Sequence, residues 1–105
     1  MATDPNCIFC KIVAGQIPAK KVHEDADLIA FRDINPAAPT HILVVPRKHI
    51  ARLTDCAEAD AALLGKLQLA AGRIAGQEKL EWFRTVTNCG EGAGQSVWHL
   101  HLHLL

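Results

Sequence analysis

The sequence lacks an excess of charge of either sign. Eleven Lys and Arg residues balance eleven Asp and Glu, leaving a formal net charge of zero. That excludes a broad basic face for nucleic acid or a polybasic membrane patch, so any phosphate bound here must be held by local donors. It also lacks an apolar run near the roughly 20 residues a bilayer span needs. The start, Met-Ala-Thr-Asp-Pro-Asn, has neither a charged n-region nor an apolar h-region, so no export signal is legible and a cytoplasmic protein is expected. Internal repeats, low-complexity tracts and linkers are absent too, and 105 residues leave room for one domain, 1–105. Half the residues are hydrophobic and 21% are charged, which excludes a disordered chain. A chain of this length can bury roughly two-thirds of its unfolded surface without staples.

Short elements follow one another. Cys7–Val13 reads as a helical turn stopped by Gly15 and Pro18. Lys21–Glu24 and Leu28–Arg32 are extended runs around the turn residues Asp25, Ala26 and Asp27. Asn35–Pro39 is a proline turn, and Thr40–Pro46, β-branched and apolar, is a buried strand. A single long helix is expected to begin near Asp55 with a capping box to Glu58. Its apolar face would carry Leu63, Leu64, Leu67, Ala70, Ala71 and Ile74, and Gly76 would end it as the C′ residue. Trp82–Thr87 and Val97–Leu105 are further strands, joined by a Gly-rich loop over Asn88–Gln95. Strands meeting one long helix without a βαβ rhythm predict an α+β fold with an antiparallel sheet of about five strands.

The chemistry concentrates in the last strand, VWHLHLHLL. Alternation points Trp98, Leu100, Leu102 and Leu104 one way and His99, His101 and His103 the other. A solvated face needs no run of one titratable residue. Neutral imidazole is a nucleophile as well as a metal ligand, so the run reads as a catalytic constellation or as a metal site built from all three rings. Attack on phosphorus by the middle ring, flanked by both partners, would split one hard displacement into two easier ones. Gly90, Gly92 and Gly94 before it leave backbone N–H groups free to cradle a phosphate. No Lys-Ser/Thr pair or following helix makes this loop a P-loop or a dinucleotide motif. Cys7-x-x-Cys10 is a metal or redox pair in a reducing compartment, or part of two disulfides in an exported chain; Cys56 and Cys89 have no evident partner.

HLHLHLL resembles the His-φ-His-φ-His-φ-φ signature of the histidine triad (HIT) superfamily, φ being hydrophobic. The preceding Gly94-Gln95-Ser96 resembles its Hint-type branch, as do CIFCKIVAGQIPAKKVHED and LIAFRDINPAAPTHILVVPRKHI upstream, so the likeness covers nearly all of the chain. The resemblance implies nucleotide-binding hydrolases and transferases that act at an α-phosphate, as homodimers whose two sheets join. It implies His101 as the nucleophile, with His103 and Asn88 as donors to the phosphate oxygens. Gly94, Gln95 and Ser96 would surround the phosphate and leaving group through their backbone, with the Ser96 hydroxyl near the departing atom. Asp33 would accept from the ribose hydroxyls, and Ile8, Phe9, Ile12, Phe31, Ile34 and Leu43 would line the base slot. His41 either backs the triad or is a hydrogen-bonded core histidine. In bacterial-type relatives, a pair matching Cys7 and Cys10 binds structural zinc with histidines matching His49 and His99; the alternative is a plain buried thiol pair. No catalytic metal or organic cofactor is implied. The implied activity is that of a purine nucleoside phosphoramidase releasing AMP or GMP. Its rivals are dinucleoside polyphosphate hydrolysis, a non-catalytic nucleotide-binding scaffold and a zinc-binding structural module. A uridylyltransferase-like activity is disfavoured, since that branch has glutamine where this chain has His103. Hint-type chains continue past the triad with a specificity segment, whereas this sequence stops at Leu105.

Overall fold

Alternating apolar residues build the sheet and divide the core in two. The computed structural model describes residues 4–105, so Met1, Ala2 and Thr3, part of the stretch read for an export signal, lie outside it. β1 (Lys21–Glu24), β2 (Leu28–Arg32), β3 (Ile42–Pro46), β4 (Thr85–Val86) and β5 (Leu102–Leu104) form one sheet in the order β1-β2-β3-β5-β4, every neighbour antiparallel. Leu28, Ala30, Ile42, Val44, Leu102 and Leu104 point to one face, against α2 (Ala61–Gln77). Ile29, Phe31, Leu43 and Val45 point to the other, where they meet Cys7, Phe9, Cys10 and Ile12 around α1 (Ile8–Val13). The expected α+β fold, with five strands, one long helix and a short N-terminal one, is the observed one. The helix face was legible as well: Leu67, Ala70, Ala71 and Ile74 are buried, and Leu63 and Leu64 pack against them. Truncating Leu67 or Ile74 to alanine would cost about 2–5 kcal/mol.

The ends of elements differ from expectation. Leu53–Asp55 and Glu58–Asp60 are separate 3₁₀ turns, and α2 begins only at Ala61. No Asp55–Glu58 capping box forms; Asp60 Oδ2 instead accepts the Ala57 N–H at 2.9 Å while Oδ1 accepts from Lys48 Nζ at 2.7 Å. Gly76 lies inside the helix. The left-handed residue beyond its end is Lys79, at φ 58°, with the Lys79 N–H donating to the Gly76 carbonyl and Leu80 to Ala75. That pattern is a Schellman motif, and Leu80 supplies its apolar contact with the core.

β3 begins at Ile42 rather than Thr40; the Asp33 N–H still donates to the His41 carbonyl at 3.0 Å, carrying the β2–β3 register one residue past Arg32↔Ile42 toward the proline turn. Trp82–Thr87 reduces to the two-residue edge strand β4, leaving Trp82 82% exposed. The last strand starts at Leu102, not Val97. Continuing the β3–β5 register past Val44↔Leu102 would set Leu100 opposite Pro46, which has no N–H for a ladder. The Leu100 N–H turns to the Ile50 carbonyl instead, at 2.6 Å. Alternation is therefore not enforced at Trp98, which stays exposed, while Leu100, Leu102 and Leu104 enter the core as expected.

Candidate active site and metal centre

The three histidines of the terminal run lie side by side on the α1 face of the sheet, and each makes a different hydrogen bond with its far nitrogen. His99 Nε2–H donates to the Pro46 carbonyl at 2.8 Å, which leaves Nδ1 as a lone pair. His101 Nδ1–H donates to the His99 carbonyl at 2.6 Å, which leaves Nε2 as a lone pair. His103 is the reverse. The Ala37 N–H donates to His41 Nδ1 at 3.0 Å, so the His41 proton sits on Nε2 and is donated to His103 Nδ1 at 2.8 Å. His103 must then carry its own proton on Nε2, a buried atom without a partner. An unmet buried donor beside a free imidazole lone pair is an arrangement that needs an acceptor, and an anion supplies one.

Burial keeps all three rings neutral. It lowers His99 to about 4 and His101 below its ordinary value. Burial also lowers His103 to about 4, with the neighbouring His101 and His41 adding to the shift. The central ring is therefore unprotonated and nucleophilic at neutral pH. His101 and His103 stand 4.9 Å apart, centroid to centroid.

Asp33, just beyond β2, accepts the Asn35 N–H at 2.8 Å through Oδ1 and lies 3.5 Å from His41 Nε2 through Oδ2. Asp33, His41 and His103 could also be imagined as metal donors. The 2.8 Å between the two imidazole nitrogens is instead the separation of a shared proton.

The Gly-rich loop closes the other side. Gly90 and Gly94 take φ of 91° and 92°, a region other residues rarely adopt. A Cβ on Gly94 would come within 3.8 Å of Asn88 Nδ2, which places the Asn88 amide at the loop. Gln95 is buried, and its side chain acts as a buckle: Oε1 accepts the Gly90 N–H at 2.9 Å, and Nε2 donates to the carbonyls of Ala51 (2.7 Å) and Val97 (3.0 Å). Sequence reasoning missed this role, since nothing in Gly-Gln-Ser tells where an amide side chain turns. Ser96 is exposed beside it.

Among the expected base-slot residues, Phe9, Ile12, Phe31 and Leu43 are buried within the α1-side core, while Ile8 (48%) and Ile34 (86%) present apolar surface to solvent. A cavity of about 160 Å³ is bounded by Leu53, Leu64, Leu67, Gln68, Thr87, Leu100 and Leu102 together with His101. Most of these residues belong to α2 or its side of the sheet, with Thr87, the neighbour of Asn88, and His101 closing the end toward the triad.

A second cluster adjoins the first through His99. Cys7 caps α1, its thiol accepting the Cys10 N–H at 3.4 Å, so the helix start brings both sulfurs together. His99 Nδ1 lies 3.3 Å from Cys7 Sγ, 3.5 Å from Cys10 Sγ and 3.2 Å from His49 Nδ1. Cys10 Sγ is 3.3 Å from His49 Nδ1, and the four ligand atoms lie within 4.8 Å of one another. Zinc bonds of about 2.0–2.3 Å place neighbouring tetrahedral donors about 3.3–3.8 Å apart, so the quartet fits such an ion. The His99 lone pair faces the cluster, and its Pro46 bond is the outer hydrogen bond that metal-ligating histidines usually make. Burial raises the Cys10 thiol, and a divalent cation reverses that by displacing the proton. Cys56 and Cys89 stand apart from this cluster as free thiols.

No helix among the described residues is long and apolar enough to cross a membrane. A family model described as scavenger mRNA decapping enzyme C-terminal binding matches residues 6–105. Protein HitA of Neisseria gonorrhoeae is 48% identical over 101 residues, covering 95% of this chain and 94% of that protein. An uncharacterized HIT-like protein of Synechococcus elongatus is 52% identical over 99 residues, 93% of this chain and 87% of its own. Among solved structures, a HIT family hydrolase from Legionella pneumophila superposes with a TM-score of 0.94 at 49% identity, covering 95% of this chain and 91% of that one. A histidine triad protein from Clostridium difficile gives 0.95 at 43% identity, with 98% and 91% covered. With the fold, the ordered run of imidazoles and relatives matched over almost their full length in agreement, the chain belongs to the histidine triad family.

Proposed function

We propose that this protein is a nucleoside 5′-phosphoramidase: a hydrolase that cleaves at the α-phosphate of a purine nucleotide through a covalent intermediate on His101. One observation carries the reading, the juxtaposition of the His101 Nε2 lone pair with the unpartnered Nε2–H of His103. His101 Nε2 attacks the α-phosphorus, forming a P–N bond as the bond to the leaving amine breaks and the amine departs with a proton. The imidazole becomes cationic as it does so, and the His99 carbonyl on Nδ1–H stabilises that charge. His103, Asn88 and the Gly94–Gln95–Ser96 backbone donate to the equatorial oxygens, where charge gathers. Ser96 serves the departing atom. Water then attacks phosphorus, the P–N bond to His101 breaks, and the nucleoside monophosphate, AMP or GMP, is released. Asp33 receives the ribose hydroxyls, and the base lies on Ile8 and Ile34 above Phe31 and Leu43. No step passes through a metal. Cys7, Cys10, His49 and His99 would hold zinc, which when bound supplies a tetrahedral brace to the segment carrying the nucleophile. A thiolate site of this kind suits a reducing compartment, so we place the protein in the cytoplasm, acting as a homodimer that extends the sheet.

Adenosine 5′-phosphoramidate is the test substrate. Wild type should release AMP, and acid-quenched protein should carry a nucleotidyl adduct that His101→Ala lacks. His103→Ala should lose roughly 3 kcal/mol of transition-state stabilisation, about a hundredfold in kcat. Equal AMP release by wild type and His101→Ala would overturn the mechanism. Faster turnover of a diadenosine polyphosphate would move the leaving group from an amine to a phosphate.

A further inference from the structure

Gly90, Gly92 and Gly94 leave the Gly-rich loop free to take many shapes, and a cradle that must first find its shape stabilises a transition state poorly. One side chain removes that freedom. Gln95 is 4% exposed, and its amide spends its oxygen on Gly90, where the loop turns at φ 91°, and both N–H groups on Ala51 and Val97. Gly90 in turn closes the 3₁₀ turn Glu91–Ala93, its carbonyl accepting the Ala93 N–H at 3.1 Å. Burying an amide costs its hydration and freezes a long side chain, so filling space alone would favour leucine or methionine here. The Ala51 anchor carries the consequence. Ile50 beside it accepts the Leu100 N–H, between His99 and His101, and His49 before that belongs to the Cys7–Cys10–His49–His99 cluster. The loop and the nucleophile are thus both tied to the segment 49–51.

We infer that Gln95 is a positioning residue for the reaction. Its side-chain amide holds the Gly-rich loop in place relative to His101 in the resting protein, so that the loop meets the charge gathering around phosphorus without rearranging. The inference rests on the reading of His101 as nucleophile and of the loop as its phosphate cradle, but its structural readouts do not need turnover.

In the full chain, Gln95→Met keeps the bulk and removes all three side-chain hydrogen bonds. It should lower kcat at least about tenfold with KM within about threefold of wild type, since misplacing a reacting partner by about 1 Å can cost about a hundredfold. Without substrate, the amide resonances of Gly90, Gly92 and Gly94 should shift or broaden, and the Gly90 N–H should exchange with solvent at least about tenfold faster. Should Gln95→Met fail to fold, Gln95→Glu gives the kinetic and resonance readouts: it keeps an acceptor for Gly90 but sets a carboxylate against the Ala51 and Val97 carbonyls. Ile74→Val, in the α2-side core, controls for general loosening: it should lower Tm and leave the glycine signals and kcat in place. Unaltered glycine signals in Gln95→Met would overturn the inference, as would an unchanged kcat per folded molecule or an equal change in Ile74→Val. A raised KM at unchanged kcat would make the amide a contact of the bound nucleotide and overturn it too. Failure of wild type to form an adduct would sink the phosphoramidase reading alone, because the glycine signals are recorded in the resting protein.

Discussion

The two ends of the histidine run are furnished with opposite chemistry. At the His99 end, two sulfurs and a second imidazole converge on a lone pair, an environment that suits a cation. At the His103 end, the hydrogen bonds of His41 set the tautomer so that a buried N–H is left without a partner, an environment that suits an anion. His101 lies between them, its Nδ1–H donated to the His99 carbonyl so that Nε2 keeps the lone pair. Residue type therefore settled little about role. Under the proposed mechanism, the partner on the far nitrogen of each ring decides which is ligand, which nucleophile and which donor.

Disabling the two ends separately should expose that contrast. The largest effect is expected at the cysteines. Cys7→Ser with Cys10→Ser should remove at least about 3 kcal/mol of folding stability in zinc-containing buffer. That corresponds to roughly 12 °C or more in Tm for a domain of this size. Wild type should bind close to one equivalent of zinc, and a strong chelator should reproduce the variant's Tm; a chelator without effect would refute a bracing metal. At the other end, His41→Leu keeps the packing but removes the proton that sets the His103 tautomer. It should cost about 2 kcal/mol in the transition state, roughly 30-fold in kcat, with a much smaller shift in Tm. If Tm collapses while kcat per folded molecule holds, His41 is only a core histidine.

Acid should weaken the His103 end next. His103 is held near 4 in the folded protein, whereas an unfolded histidine ionises near 6.5. Between those values the unfolded chain binds the proton that the folded site refuses, so stability is full above about pH 6.5 and falls as pH drops toward 4. Urea unfolding at several pH values should show this fall reduced in His103→Gln; an identical slope would contradict it. The smallest effect lies far from both ends. Lys79→Gly relieves the one left-handed non-glycine residue among those described, and should add about 1 kcal/mol without touching kcat.

Local patterning made much of this legible. β1, β2 and the apolar stripe of α2 follow from alternation and helical spacing, which burial enforces directly. The helix ends were misread because Asp55, Glu58 and Gly76 satisfy local rules that Asp60 and Lys79 satisfy in their place, and the choice between them is tertiary. The triad and the Cys7-x-x-Cys10 pair were visible as motifs. The tautomers were not, because they depend on Ala37, Pro46 and His41, residues far from the motif in sequence. Gln95 likewise shows its bracing amide only once Gly90, Ala51 and Val97 are brought around it.

Pro46 joins these strands of reasoning. A proline at the end of a strand is usually read as mere termination, yet here the missing hydrogen has a chemical use. With Leu100 diverted to Ile50, the Pro46 oxygen is left to fix the orientation of His99, and through His99 that of its neighbour in the chain. An ordinary residue at position 46 would let β3 and β5 zip one rung further and compete for that oxygen. In the proposed mechanism, the place where regular pairing gives out is thus the anchor from which the His101 nitrogen is aimed.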